Sequence, residues 1–203
     1  MQPSLMETRI QSSGKLRTRH LPALYLDPSF FGAFVAAAPE DATGYAEIAH
    51  RSRAGTLGLT LVVSSLTLLR WMQESATTYR AEHRDEHHAG ALEDSDFEGL
   101  RFQGWLRHRL GEALDGVLQV DLHAFELGLD AAWEELPALA LLDGAAHGTL
   151  DALAARHLGC THLATLRPEM VHVCELLRAS GGPQPLLGPA AVLAALPPPA
   201  SVD

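Results

Sequence analysis

The densest group of chemistry-bearing side chains is HRDEHH, residues 83–88. On a helix, His83 and His87 stand at i and i+4, a spacing that can chelate zinc. The zinc-protease pattern H-E-x-x-H needs a glutamate directly after the first histidine, and Arg84 stands there instead. Mixed charge at the solvated end of a helix accounts for the run. The acids Glu93, Asp94, Asp96 and Glu98 lack the glycine and the terminal glutamate of a calcium loop, so they read as a solvated loop. No Walker lysine motif, G-x-G-x-x-G or G-x-S-x-G occurs, which leaves nucleotide-binding and serine-hydrolase templates without a foothold. Cys160 and Cys174 are too few and too far apart for a disulfide scaffold or a C-x-x-C motif, and read as buried reduced thiols.

A second group of charges is spread along the chain. LYLDPSFFGAF puts Asp27 at the end of an apolar run, with Ser29 two residues on. VVSSLTLLRWM carries Arg70 about two helical turns past another apolar run. HGTLDALAARHLGCTHLATLRPEM holds Asp151 before an L-G break and Arg167 in a T-x-R triplet after it.

The elements that must position these residues follow from periodicity. Residues 21–27, 59–63, 117–122 and 160–165 are short apolar runs and predict four buried strands. Helices are expected from a cap at Ser29 to Pro39, over 40–53, from a capping Ser65 to 84 with Leu66, Leu69, Met72 and Gln73 at helical spacing, and over 97–110 with Leu100, Trp105 and Leu106 inward. Further helices are expected over 124–136, 147–158 (closed by Gly159) and 169–179. Strands alternating with helices predict an α/β fold with a parallel sheet.

Residues 1–20 are polar and aperiodic and read as a flexible arm. The domain proper spans 21–180, with an expanded middle at about 82–116. Residues 181–203, rich in proline and alanine, read as a tail, whose apolar stretch 190–196 is open to docking on the body or on a partner. The 203 residues include 25 acids and 15 bases, a formal net charge of −10, which excludes a globally basic, duplex-coating protein but leaves local basic pockets open. Residues 54–69 carry no charge, yet are short of the ~20 apolar residues that a spanning helix needs. The amino-terminal stretch does not read as a secretory signal, so no membrane association and a cytoplasmic setting are the expectation.

Taken in order, LYLDPSFFGAF, VVSSLTLLRWM and HGTLDALAARHLGCTHLATLRPEM resemble the PIN-domain family, and within it the single-domain toxins of bacterial toxin–antitoxin pairs. The family forms at these places read L-x-x-D-T-S, S-x-L-T-x-x-E, D-A-L-H-L-A-x-A-x-x-L-G and T-x-D. The resemblance covers residues 21 to about 179. It implies a three-layer sandwich with a short parallel sheet, in which carboxylates at the strand ends hold Mg²⁺ or Mn²⁺ for hydrolysis of RNA. A hard cation takes oxygen ligands, polarises the phosphate and generates hydroxide. It also implies RNA, a small antitoxin-like protein and a second copy of the chain as candidate partners.

Laid on this chain, the family's first acid is kept as Asp27, the second falls on Arg70, the third on Gly148 and the fourth on Arg167. At ~4 Å and an effective dielectric of ~20, each unit pair is worth about 4 kcal/mol, so two guanidiniums oppose a divalent cation strongly. The expectation is a degraded metal site in a non-catalytic module binding nucleic acid or a partner. Within it, either Asp27 pairs internally with Arg70 and Arg167, or the two arginines bind an anion such as a backbone phosphate. The alternative is a Mg²⁺- or Mn²⁺-dependent ribonuclease in which Asp27 works with relocated acids, Asp151 first, then Asp143 and Glu74.

Overall fold

The computed structural model describes residues 22–37, 44–83, 95–110, 113–114, 117–120 and 146–196; within 95–98, 118–120 and 146–147 only the backbone is described. The expected arm, the helix at 124–136, His87, His88, Glu93, Asp94 and Asp143 lie outside these residues, and the side chains of Asp96 and Glu98 are not described. The order is β1 (Ala23–Leu26), α1 (Pro28–Ala36), α2 (Tyr45–Arg53), β2 (Thr60–Ser64), α3 (Ser65–Glu82), α4 (Ser95–Leu110), β3 (Val117–Val120), α5 (Ala146–His157), β4 (His162–Thr165), α6 (Glu169–Leu177), β5 (Gln184–Leu187) and α7 (Gly188–Ala195).

The strands form one parallel sheet in the order β3-β2-β1-β4-β5. Side chains alternate across it, as strand geometry requires. Ala23, Tyr25, Val62 and Leu163 face α5 and α6, burying Ala152, Leu153, Met170 and Val173. Leu24, Leu26, Leu61, Val63 and Ala164 face the other way onto Phe30, Phe31, Ile48 and Trp71. Two helical layers thus enclose a sheet buried on both faces, which is why its strands read as near-continuous apolar runs. This is the expected α/β sandwich.

From β1 the chain steps outward through β2 to β3, then returns to the other side of β1 as β4. The β1–β4 junction is therefore a topological switch point, where helices on opposite faces leave a crevice at the carboxyl ends of the strands.

Several local expectations are corrected. Asp27, not Ser29, caps α1 by accepting the Phe30 amide at 2.8 Å, with Pro28 in the first turn. Ser64, not Ser65, caps α3 by accepting the Thr67 amide at 3.1 Å. In both places the strand ends directly on the cap, so the cap lies one or two residues earlier than a connecting loop would put it. The buried stripe of α3 runs through Thr67, Trp71, Ser75 and Tyr79, and Leu69 is exposed. On α4 the inward stripe is Phe102, Trp105, Leu106 and Leu110, and Leu100 lies off it in solvent.

The largest correction concerns residues 181–203. Gln184–Leu187 pairs in parallel with β4, and α7 seats Val192, fully buried, in the core below it. The prolines that suggested a tail occupy permitted places. Pro185 lies in an edge strand, where a missing amide costs little, and Pro189 in the first turn of α7. Replacing Val192 with Ala is expected to cost about 2 kcal/mol in urea unfolding of the whole domain. Val192→Asp should cost more, whereas an unchanged midpoint in both would return this segment to the status of an appendage.

Candidate functional site

Asp27 stands at the switch point, where β1 gives way to α1, and is fully buried. Its Oδ1 accepts the Phe30 amide and the Ser29 hydroxyl, at 2.8 and 2.6 Å. Its Oδ2 accepts the Thr165 hydroxyl at 2.7 Å and two guanidinium donors of Arg167, Nε at 3.2 Å and Nη2 at 2.9 Å. Thr165 and Ser29 are themselves pinned: the Arg167 amide donates to Thr165 Oγ1 and the Leu166 amide to Ser29 Oγ, each at 3.0 Å. The end of β4 is thereby laced to the end of β1.

Asp151 comes from the opposite side, on α5, and is also fully buried. Its Oδ2 accepts Arg70 Nη1 from α3 at 2.8 Å and Arg167 Nη2 at 3.2 Å. Arg167 Nη2 therefore sits between two carboxylates from different layers. The chain brings together all four singled-out residues, Asp27, Arg70, Asp151 and Arg167, as two acids and two bases of zero net formal charge. The expected internal pairing is refined accordingly: Asp151 receives Arg70 and shares Arg167 with Asp27.

Burial governs the titration of this group. It pushes the Asp151 carboxyl up to about 7, against the pull of Arg70 and Arg167 and with a further push from the Asp27 charge. Burial also opposes the charge of Arg167, but Asp27 and Asp151 outweigh it and hold that guanidinium above its ordinary value. Asp151 Oδ1 is sealed from solvent and has no hydrogen-bond partner, an arrangement that favours a proton on the carboxyl. Nearby, Tyr25 hydrogen-bonds Ser64 at 2.7 Å and Thr67 at 2.8 Å, and burial with the Asp151 charge raises its phenol. Cys160 and Cys174 are free and buried, each pushed up to about 12, principally by burial, as the reading of inert thiols expected.

The donor set does not fit Mg²⁺ or Mn²⁺. Both Asp27 oxygens are saturated by protein donors, Asp151 offers only the sealed Oδ1, and a guanidinium nitrogen fills the space between the carboxylates. Among the described residues no three His, Cys, Asp or Glu side chains converge as a metal would require. The place of the family's third acid is also closed. A Cβ at Gly148 would collide with the Met170 side chain, which is itself fully buried. Glu74, weighed as a relocated acid, lines a different cleft, between α1, α3 and α4. His83 bonds the Tyr79 carbonyl through Nδ1 at 2.9 Å and stacks at the end of α3, in keeping with a solvated helix end.

Ser29 and Thr165 are site residues that the sequence reading left out of the site, Ser29 being expected only as a helix cap. The signal for them was present: a hydroxyl two residues after the acid at one strand end, and another two residues before the arginine at the next.

No family model matches the chain, and no curated protein matches it. No helix among the described residues is long and apolar enough to cross a membrane.

The pH dependence of stability tests the assignment of Asp151. Its folded value of about 7 lies above its ordinary 3.8. Between roughly pH 4 and 7 the native state therefore keeps a proton that the unfolded chain has lost, and stability falls as pH rises through that window. Asp151→Asn is expected to flatten this part of the curve of urea midpoint against pH. A wild-type midpoint that rises from pH 4 to 7 through a term absent from Asp151→Asn would overturn it.

Proposed function

We propose that this protein is a PIN-like module of toxin-like ancestry that works by binding and not by phosphodiester hydrolysis. One observation carries the reading: Arg167 Nη2 lies 2.9 Å from Asp27 and 3.2 Å from Asp151, where a bridging cation would have to sit. A guanidinium there, with Arg70 on Asp151, offsets both acids without a metal and supplies neither a Lewis acid nor a bound hydroxide.

The partner this reading favours is a protein, of the small antitoxin-like kind that the resemblance implies, met in the cytoplasm. With both acids ionised the four formal charges cancel, and the donors of Arg167 and Arg70 named above point into the protein. The residues beside the two arginines in sequence, Leu69 and Leu166, are exposed. A neutral polar centre flanked by exposed leucines suits a protein surface, whereas a phosphate backbone is drawn by positive charge in excess. Nucleic-acid contact is the second reading, and it rests on the 16% and 24% of the Arg70 and Arg167 side chains left in solvent.

The purified protein is expected to leave RNA intact in Mg²⁺ and in Mn²⁺, and Asp27→Ala to behave identically in a gel cleavage assay. Divalent-dependent cleavage that disappears in Asp27→Ala would instead establish the ribonuclease, with Asp27 and Asp151 as its metal-holding acids. In a parallel binding assay, RNA affinity that is salt-sensitive and weakened by Arg70→Ala with Arg167→Ala would favour nucleic acid over protein.

A further inference from the structure

Residues 184–196, which hold β5 and α7, are joined to the rest of the described structure at one point. Gln184–Leu187 pairs with β4 alone, at the edge of the sheet. Leu186 and Val192 are buried in the same core cluster as Phe30, Tyr45 and Ile48. Pro189 and Leu193 close on Gly44, where a Cβ would lie 3.4 Å from Pro189 Cβ and 3.0 Å from Leu193 Cδ1. All of these partners precede the connection in sequence, so an identical segment from a second copy would meet the same surface.

The connection is a turn that only glycine allows. Past α6, Arg178–Ser180 make one 3₁₀ turn, Gly181 takes φ +82°, and the Gly182 amide donates back to the Leu177 carbonyl at 2.8 Å. This is the glycine cap that reverses a chain at a helix end. A Cβ on Gly182 would stand 2.6 Å from Leu177 Cβ and 2.7 Å from the Leu177 carbonyl oxygen, closer than packed atoms come. Ser180 braces the closed turn, donating to the Leu177 carbonyl at 2.9 Å and accepting from Arg156 at 2.8 Å. Pro183 follows and disfavours helical backbone at Gly182, so the chain is biased to extend once the turn is released.

We propose that β5 and α7 are exchangeable between copies of this chain, and that the turn at Gly181 and Gly182 keeps them on their own body. When the turn opens, the segment of one copy takes the place beside β4 of a second, which returns its own and closes a two-fold dimer. Because β5 is an edge strand, the exchange breaks one strand pairing and leaves β3-β2-β1-β4 intact. The contacts outside the turn are remade between copies, so the balance rests on the turn and on concentration. A short connection holds its own segment at an effective concentration of roughly millimolar, so the wild type closes on itself in dilute solution. The exchange is independent of what binds at the quartet.

Size-exclusion chromatography of the full chain with light scattering tests this. Gly182→Ala, which cannot make the closed turn, is expected to dimerise about tenfold or more tightly than the wild type. Deleting Gly181 and Gly182 together, which places no new side chain in the turn, should do the same. Adding Val192→Asp, which spoils the seat of the segment, should return either variant to monomer, whereas association through misfolding would grow with that further loss of stability. In the dimer the Gln184 amide, which donates to the Thr161 carbonyl at 2.9 Å, should keep its wild-type protection from hydrogen exchange. Monomer in both turn variants at the wild-type concentration, association that Val192→Asp leaves unchanged or strengthens, or loss of protection at Gln184 would each overturn the proposal.

Discussion

Arg167 holds two buried carboxylates at once, and the middle of the protein is arranged around that contact. Asp27 ends β1 and caps α1, Asp151 lies inside α5, Arg70 belongs to α3, and Arg167 follows β4. Removing one partner from such a group strands an uncompensated charge in the interior, at about 3–5 kcal/mol. The carboxylates cannot easily go either, since Asp27 also supplies the first-turn cap of α1 and the anchor for the Thr165 hydroxyl. Each member of the quartet thus constrains a different layer of the sandwich.

This accounts for why the site is closed to metal by more than charge. Replacing Arg70 and Arg167 by acids would not by itself make a four-acid cluster, because Gly148 faces the buried Met170 side chain with no room for a Cβ. Close approach of α5 and α6 and an acid at position 148 exclude one another.

Much of the architecture was legible in the sequence because a parallel sheet buried on both faces writes its strands as apolar runs, and four of the five were readable in that way. The fifth, QPLL, was not: edge position removes the penalty on Pro185, and composition alone cannot tell an edge strand from a linker. The stripe on α3 was misplaced for a related reason. Thr67 and Ser75 are buried there and Leu69 is not, so counting aliphatics pointed to the wrong face. At the site, Asp27, Arg70 and Arg167 could be placed by their positions after strands. Asp151 was legible as an acid that could reach the same crevice, but its pairing with Arg70 was not, since that depends on α5 presenting one face to α3 across 81 positions of sequence.

The register of β1 carries a consequence for synthesis. Its central place in the sheet is flanked by β2, made soon after it, and by β4, whose residues pair with it at a separation of 138, as in Leu24 with His162. Asp27 emerges from the ribosome 140 residues before the guanidinium that neutralises it. Until then β1 has an unpaired edge and an unmatched carboxylate, so the nascent chain cannot close its interior piecemeal. The fold is committed only when its last third is available, the kind of non-local assembly that proceeds slowly and exposes partly built intermediates to aggregation. For a cell making this protein, the vulnerable interval is translation itself.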